Sequence, residues 1–415
     1  MADSLAAFRH PGVLRFAGGR FFSAMATSSV SVAVGWQLYE KTGSAWALGL
    51  TGLVEVVPVL GLSLVAGAAA DRLPRRSVAM ASHLLLALAS LAFVALARLD
   101  GAAALYYPVL FLVGVAMAFR APSVGAMLPQ LVPAEDFTNA NAWFSSTYEL
   151  ASMAGPAVTG LLIGLVASSW LAFAFSAAAH LVFVAVLASL PARPAAMRHQ
   201  VAGLGDLLAG WRFVMRTRVF LAAITLDLFG VLLGGATALL PIYARDVLAV
   251  GPVGLGWLRA APAVGALLTA LLQTRLGPWR RPGAVLLVTV AGFGLATLGF
   301  GLSTSAPLSW ALLFLTGVFD NISVVIRATL EQSLTPDSMR GRVSAIHHVF
   351  IGLSNELGSF ESGATAALFG PVASVVGGGV GTLVVVGLVA LAFGELRRLP
   401  PLSQLTPAAM GPTPG

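Results

Sequence analysis

The chain has 415 residues, of which 58% are hydrophobic and only 10% charged, and its mean hydropathy is +0.89. No soluble domain buries that much apolar surface, so the composition specifies an all-α polytopic membrane protein. The net charge of +7 reads as membrane topology rather than nucleic-acid binding, and the absence of cysteine excludes disulfides, thiolate metal sites and cysteine nucleophiles.

Apolar runs long enough to cross a bilayer core, about 20 residues each, are predicted at 15–38, 47–70, 77–97, 106–127, 138–164, 168–191, 219–243, 253–274, 283–303, 307–329, 342–366 and 370–393. They make twelve transmembrane helices. Of the 24 Lys and Arg, 17 then fall in cytoplasmic tails and loops, three outside (Lys41, Arg98, Arg245) and four within helices (Arg20, Arg120, Arg259, Arg327). This excess of positive charge on one side puts both termini in the cytoplasm. Aromatic residues gather at the outer ends: Trp36, Tyr39, Trp46, Tyr106, Tyr107, Trp170, Tyr243, Trp257 and Trp310. Rings at headgroup level form such a belt, so the two signals agree. The first 14 residues hold no long apolar run ahead of a cleavage site, so the first span is expected to act as its own insertion signal. No Gly-rich loop ending in Lys-Ser or Lys-Thr occurs, which argues against an ATP-driven pump.

Ionisable and polar side chains inside hydrocarbon are costly, and each is a functional candidate. In chain order, the first span carries Arg20, Ser23, Thr27 and Ser31 on one face, with Arg20 near enough to the cytoplasmic end to snorkel. Glu55 lies in the outer half of the second span, 16 residues from Asp71, or about 24 Å at the helical rise. That span ends in GAAADRLPRR, residues 67–76. Gly67 is expected to permit a close helix approach, Asp71 needs a partner at the membrane edge, and Arg72, Arg75 and Arg76 hold the loop in the cytoplasm. The fourth span holds Arg120. The fifth holds Glu149 and then Gly155-Pro156 and Thr159-Gly160, where proline frees a backbone carbonyl and small residues allow tight packing. His180 of the sixth span is read as a hydrogen-bonded interior histidine.

The stretch 192–218 contains Arg193, Arg198, Arg212, Arg216 and Arg218, with Leu204, Leu207, Leu208, Trp211 and Val214 at helical spacing. It is predicted to be a linker bearing a short amphipathic helix on the inner membrane face. In the seventh span Asp227 shares a stripe with Gly230, Gly234 and Thr237. The tenth presents Thr316, Asp320, Ser323 and Arg327 on one face. The eleventh presents Ser344, His348, Asn355 and Ser359, flanked by Glu356 and Glu361. Asp227, Glu55, Glu149 and Glu356 have no cation nearby in sequence, and a desolvated carboxyl group whose pKa rises toward neutrality suits proton coupling. Asp320 and Arg327 pair with each other or with Arg120, since Asp320 and Arg120 hold matching places after Phe319 and Phe119. The proline-rich tail after Arg398 is predicted to be disordered.

The two sides of the linker repeat one another. TRLGPWRR at 274–281 echoes DRLPRR at 71–76 with Thr274 in place of Asp71, and Gly155 and Gly160 match Gly358 and Gly363 at one offset of 203. Two parallel six-helix halves are expected, with a site at their interface. The domains read as a first bundle at 1–191, the linker at 192–218, a second bundle at 219–398 and a tail at 399–415.

The loop at 67–76 resembles the signature between the second and third helices of the major facilitator superfamily, with Pro74 replacing that family's usual second glycine. Gly155-Pro156 with Gly160 resembles its antiporter motif, Thr159 standing for one glycine; the second half keeps Gly358 but has Ser359 for proline. LYEKTGSAWALGL (38–50), LLPIYARDVL (239–248) and SVVIRATLEQSLTPDSMRGRVSAI (323–346, with Asp337, Arg340 and Arg342) resemble the branch of enterobactin exporters and related drug-efflux proteins. The resemblance implies a proton-coupled exporter of a hydrophobic or amphipathic small molecule, of siderophore or drug class, working by alternating access. Helices 1, 4, 7 and 10 would line the cavity, and Gly67, Asp71, Arg72, Arg75, Arg76, Arg340 and Arg342 would form a cytoplasmic gate. A bacterial cytoplasmic-membrane location, a monomer, and a substrate and protons as partners are expected, with no cofactor, metal or enzymatic activity. Other readings are an uncoupled facilitator, a lipid flippase, and a membrane scaffold or sensor that does not transport.

Overall fold

A computed structural model describes residues 9–125, 127–191, 211–273, 279–336 and 339–401. Twelve long helical segments follow the apolar runs. They are α1 (Pro11–Thr42), α2 (Ala45–Arg72), α3 (Arg75–Arg98), α4 (Tyr106–Gly125), α5 (Phe137–Val166) and α6 (Trp170–Ser189). The second set is α7 (Arg218–Leu233), α8 (Gly251–Gln273), α9 (Pro282–Leu302), α10 (Ala306–Leu334), α11 (Arg340–Phe369) and α12 (Pro371–Ala392). Among the described residues ten helices are long and apolar enough to cross a membrane. The remaining two, α1 and α11, are as long at 32 and 30 residues. Most of the expected amphipathic linker helix lies outside the described residues. So do the tail beyond Pro401, the TRLGP part of the repeat motif, and Asp337.

The chain folds as two compact units, one of Met1–Val201 with Leu240–Ala263 and the other of Ala202–Leu239 with Val264–Gly415. In the first unit α1 packs on α5 and α6, α2 on α4, and α3 on α4 and α6. In the second, α7 packs on α11 and α12, and α9 on α10 and α12. The glycines show why these pairs form. A Cβ on Gly155 of α5 would lie 2.9 Å from the Met25 carbonyl and from Ser28 Cβ, while one on Gly358 of α11 would lie 3.0 Å from the Val231 carbonyl. Ser28 and Val231 are themselves 203 residues apart, so each matched glycine seats on the matched position of its own unit. In lipid such backbone contact, rather than exclusion of water, holds helices together.

The seventh helix is broken. After Leu233 come Gly234 and Gly235, a 3-10 turn at Ala236–Leu239, one helical turn and a π-helical turn at Tyr243–Val247. Gly234 has no room for a Cβ beside Phe293, and Gly235 would meet Ser362 Oγ at 2.6 Å. The stripe expected from Asp227 through Gly230 and Gly234 to Thr237 therefore ends at the break, and Thr237 belongs to the 3-10 turn. Beyond the break, the segment returns to the first unit. There the Tyr39 hydroxyl donates to the Asp246 carboxylate, and Arg245 donates from Nη1 to the Tyr39 carbonyl at 3.2 Å.

At the opposite end, Arg76 donates from Nη1 to the Leu190 carbonyl at 2.6 Å and from Nη2 to the Ala188 carbonyl at 2.8 Å. It caps the end of α6, where the helix dipole favours a cation. Arg76→Ala is expected to lower stability by about 1–2 kcal/mol, the scale of charge-assisted bonds at a partly exposed helix end. Arg72→Ala, at an exposed position, should leave the melting temperature unchanged. Thermal unfolding of the two variants side by side checks this. At the end of α1, the Lys41 ammonium holds the carboxyl of Asp100, in the loop between α3 and α4, below the usual carboxylate range. Full exposure of Asp100 makes the pair a minor contributor.

Candidate functional site

The second unit buries a charged cluster that the primary structure conceals. On α10, Asp320, Ser323 and Arg327 fall on one face by helical spacing. Arg327 reaches across to α7, where its Nη1 pairs with Asp227 Oδ1, and its Nη2 lies 3.8 Å from Asp320 Oδ1. Arg327 and Asp227 are almost fully enclosed, with side chains 6% and 8% exposed, whereas Asp320 is 48% exposed. One guanidinium thus stands between two carboxylates, one dry and one reachable. Beside it lies a small cavity of about 20 Å³, lined by Gly230, Thr289, Phe293, Phe319 and Ser323 along with the charged residues. Arg327 Nε and Ser323 Oγ are buried there with no hydrogen-bond partner among the described residues. A buried polar atom left unmatched is costly, so this is a polar site with capacity to spare. Asp227 has no cation nearby in sequence, and its partner Arg327 comes from another helix, 100 residues away.

Glu55 and Glu149 are half-buried on α2 and α5. The Glu55 backbone is pressed against α4, because a Cβ on Gly114 would be 2.5 Å from its carbonyl. Glu356 is half-buried and Asn355 exposed on α11. On α1, Thr27 donates to the Ser23 carbonyl at 3.0 Å, and Ser31 accepts from Arg259 Nη2 at 3.2 Å. Arg120 directs Nε at Met117 Sδ, 3.2 Å away. Arg20 lies over the Phe144 ring, 5.2 Å from its centroid. Gly67 has no described atom within 4 Å of its Cβ position, so the close approach expected there is absent among the described residues. The backbone of the gate loop is described, but the side chains of Asp71, Arg340, Arg342, Ser344 and His348 lie outside the described residues.

The Gly-Pro segment of α5 makes a close crossing in the first unit. A Cβ on Gly160 would be 2.5 Å from the Pro252 carbonyl, and one on Gly256 would be 2.6 Å from the Pro156 carbonyl, so α5 and α8 meet backbone to backbone. Thr159, which stands where the motif has glycine, is fully buried; its hydroxyl donates to the Gly155 carbonyl and accepts from Ser29 Oγ, both at 2.7 Å. The hydroxyl satisfies itself against α1, which explains how threonine is accommodated.

Sequence reasoning missed three pairings. His83 and His180 meet at 3.2 Å between their Nδ1 atoms, with Ser23 Oγ 3.4 Å from His83. His347 Nδ1 lies 2.5 Å from Glu331 Oε2, and Tyr39 meets Asp246. His83 shares its buried face with Ser82 and Ser90, a polar pattern within an apolar helix that could have flagged it.

Long apolar helices with glycine-seated crossings and a buried carboxylate–guanidinium cluster describe a polytopic helical membrane protein. The chain matches the Major Facilitator Superfamily model over residues 16–359, and it belongs to that superfamily, a family of transporters rather than enzymes. It is 30% identical over 396 residues to "Enterobactin exporter EntS" of Shigella boydii serotype 18, covering 94% of this chain and 93% of the relative. The same figures relate it to the enterobactin exporter of Escherichia coli O1:K1. Among solved structures it resembles a bacterial homologue of the human lysosomal transporter Spinster in an inward-facing, occupied conformation. That likeness has a TM-score of 0.74 at 14% identity, over 94% of this chain and 98% of that one. It also resembles the nucleoside transporter NupG, with a TM-score of 0.68 at 15% identity over 93% and 99% of the two chains. At these identities the likeness establishes the fold.

Proposed function

We propose that this transporter is a proton-coupled exporter of a hydrophobic or amphipathic small molecule, of siderophore or drug class, working by alternating access. In this reading twelve spans form two parallel six-helix repeats at 1–191 and 219–398, joined by the linker 192–218 and followed by the tail 399–415. Both termini are cytoplasmic, the membrane is the bacterial cytoplasmic membrane, and the functional unit is a monomer. The observation that carries it is the Asp227–Arg327–Asp320 cluster. One cation cannot fully neutralise two carboxylates, so a proton is readily accommodated on one of them, and its arrival loosens the hold of that carboxylate on Arg327. Such a cluster gives protonation a direct effect on how α7 and α10 are tied together. Asp227 is the first coupling candidate, with Glu55, Glu149 and Glu356 next. Full-length relatedness to exporters supports the direction. Asp71 and the arginines around it, with Arg340 and Arg342, are proposed as the cytoplasmic gate, and Gly155, Pro156 and Gly160 as the antiporter-type crossing.

Inside-out membrane vesicles with an acid interior test this reading. Vesicles containing the protein should accumulate one or more compounds from an amphipathic dye and siderophore panel, and addition of a transported compound should release protons from the lumen. Uptake without proton movement would replace the reading with an uncoupled facilitator. Silence in both signals would leave a scaffold.

A further inference from the structure

Two guanidinium groups in the first unit have no acid to balance them among the described residues. Arg20 on α1 and Arg120 on α4 are half-buried within the apolar spans, and among the described residues no carboxylate of this unit pairs with either. What surrounds them is neutral or of like charge. Arg120 Nε faces only the Met117 thioether, a weak acceptor, and Arg20 lies over the Phe144 ring. The two arginines are close enough to repel one another, and the Tyr148 phenol is near both. His83 and His180 also lie in the field of Arg120. Their mutual hydrogen bond uses one ring nitrogen as donor and one as acceptor, which two neutral rings satisfy, so they bring no negative charge. Glu149 follows Tyr148 in sequence but projects about 100° further round the helix, and it forms no ion pair among the described residues. The contrast with Arg327, which the second unit brackets with two carboxylates, is direct. Unbalanced cations at membrane depth mark a ligand or ion pathway.

We infer that Arg20 and Arg120, with Tyr148, form a subsite for a negatively charged group of the substrate, so that the exported molecule is an amphipathic organic anion, a carboxylate or an ionised phenol. This rests on the transport reading above and narrows it. The chemistry fits at each point. Guanidinium forks match a carboxylate in bidentate fashion. The Tyr148 ring on α5 is 47% exposed and offers flat apolar surface to an aromatic body. Bound anion supplies the missing counter-charge, which makes binding of a charged group favourable at a depth where a neutral analogue gains nothing from the arginines. It follows that anion efflux against proton influx moves charge in the same electrical sense on both legs, so the membrane potential drives export along with the pH gradient.

Matched pairs of probes differing only in charge test the subsite on the purified full-length protein without any gradient. Benzoate, 1-naphthoate and dansylglycine are compared with their neutral amides by thermal-shift titration. At least one carboxylate is expected to bind the wild type roughly tenfold or more tightly than its amide, the scale of one charge-assisted recognition contact. Arg120→Gln and Arg20→Gln should each erase that preference while amide binding stays within about twofold. Arg120→Lys should keep part of it, as a point charge without the fork. If Arg120→Gln does not fold, Arg20→Gln and Arg120→Lys carry the comparison. A wild type that prefers no carboxylate over its amide overturns the inference, and so does a preference that survives both glutamine substitutions. A preference absent from the wild type but gained in Asp320→Asn also overturns it, because a protein carboxylate would then be the counter-ion. Binding here is read at equilibrium, whereas proton coupling is read in energised vesicles, so either result can fail while the other stands.

Discussion

Arg327→Ala is expected to yield little folded protein, whereas Asp227→Asn should fold and lose only uphill export. The asymmetry comes from what each change strands. Removing Arg327 leaves the Asp227 carboxylate enclosed with no cation, and breaking a buried pair from one side costs about 3–5 kcal/mol. Against a total stability of about 5–15 kcal/mol, that is enough to deplete the folded state. Removing the Asp227 charge instead leaves Arg327 with Asp320 at 3.8 Å, so the cation keeps a partner and the loss is smaller. The double variant Asp227→Asn with Arg327→Gln removes both charges together. It should recover most of the stability lost in Arg327→Ala, since a neutral amide pair fills the same space. It should not recover pH-driven transport, because the group that exchanges its proton is gone. Yield by fluorescence-detected size exclusion and melting temperature read the first effect; gradient-driven flux against exchange flux reads the second.

Gly160→Leu should disable the protein as thoroughly, by geometry rather than charge. Its Cβ would lie 2.5 Å from the Pro252 carbonyl and 3.0 Å from Gly256 Cα, and both are backbone atoms that no rotamer change can move. Overpacking a fitted contact costs about 1–3 kcal/mol and more where backbone must shift, so the expected outcome is separation of α8 from α5. The neighbouring glycines make the expectation specific. At Gly164 the obstacle is Val253 Cγ2 at 2.6 Å, the far end of a side chain, so Gly164→Ala should be milder than Gly160→Ala. Gly67→Ala meets no described atom and should leave the melting temperature unchanged. Thermal unfolding in detergent ranks the series, and the order Gly160, Gly164, Gly67 is the result to check.

Much of this architecture is legible in the chain because each long helix is announced by a local apolar run, and lipid imposes that length. The repeat was equally visible, since Gly155 and Gly358 share an offset that the structure carries through to their packing partners, Ser28 and Val231. The site was only half legible. Helical periodicity put Asp320, Ser323 and Arg327 on one face, but nothing local joins Arg327 to Asp227, because that contact depends on how α7 and α10 cross. Arg20 shows the same limit: its position near a helix end suited snorkelling, yet the Phe144 ring of α5 gives it an interior contact that composition cannot announce. The break after Leu233 escaped notice for another reason. Gly234 and Gly235 read equally well as small residues in a packing stripe, and only their crowding against Phe293 and Ser362 distinguishes the two roles. His83 and His180 sit 97 residues apart, and their pairing required knowing that α3 packs on α6.

The claim that protonation of the Asp227–Arg327–Asp320 cluster drives transport is tested most directly by proton flux in proteoliposomes with a trapped pH indicator and a substrate identified in the vesicle uptake experiment. In the wild type, substrate moving down its gradient should pull protons the opposite way, while Asp227→Asn should exchange substrate across the membrane with no proton movement. Proton flux of wild-type size in a folded Asp227→Asn protein would contradict the account and move the coupling site to another carboxylate.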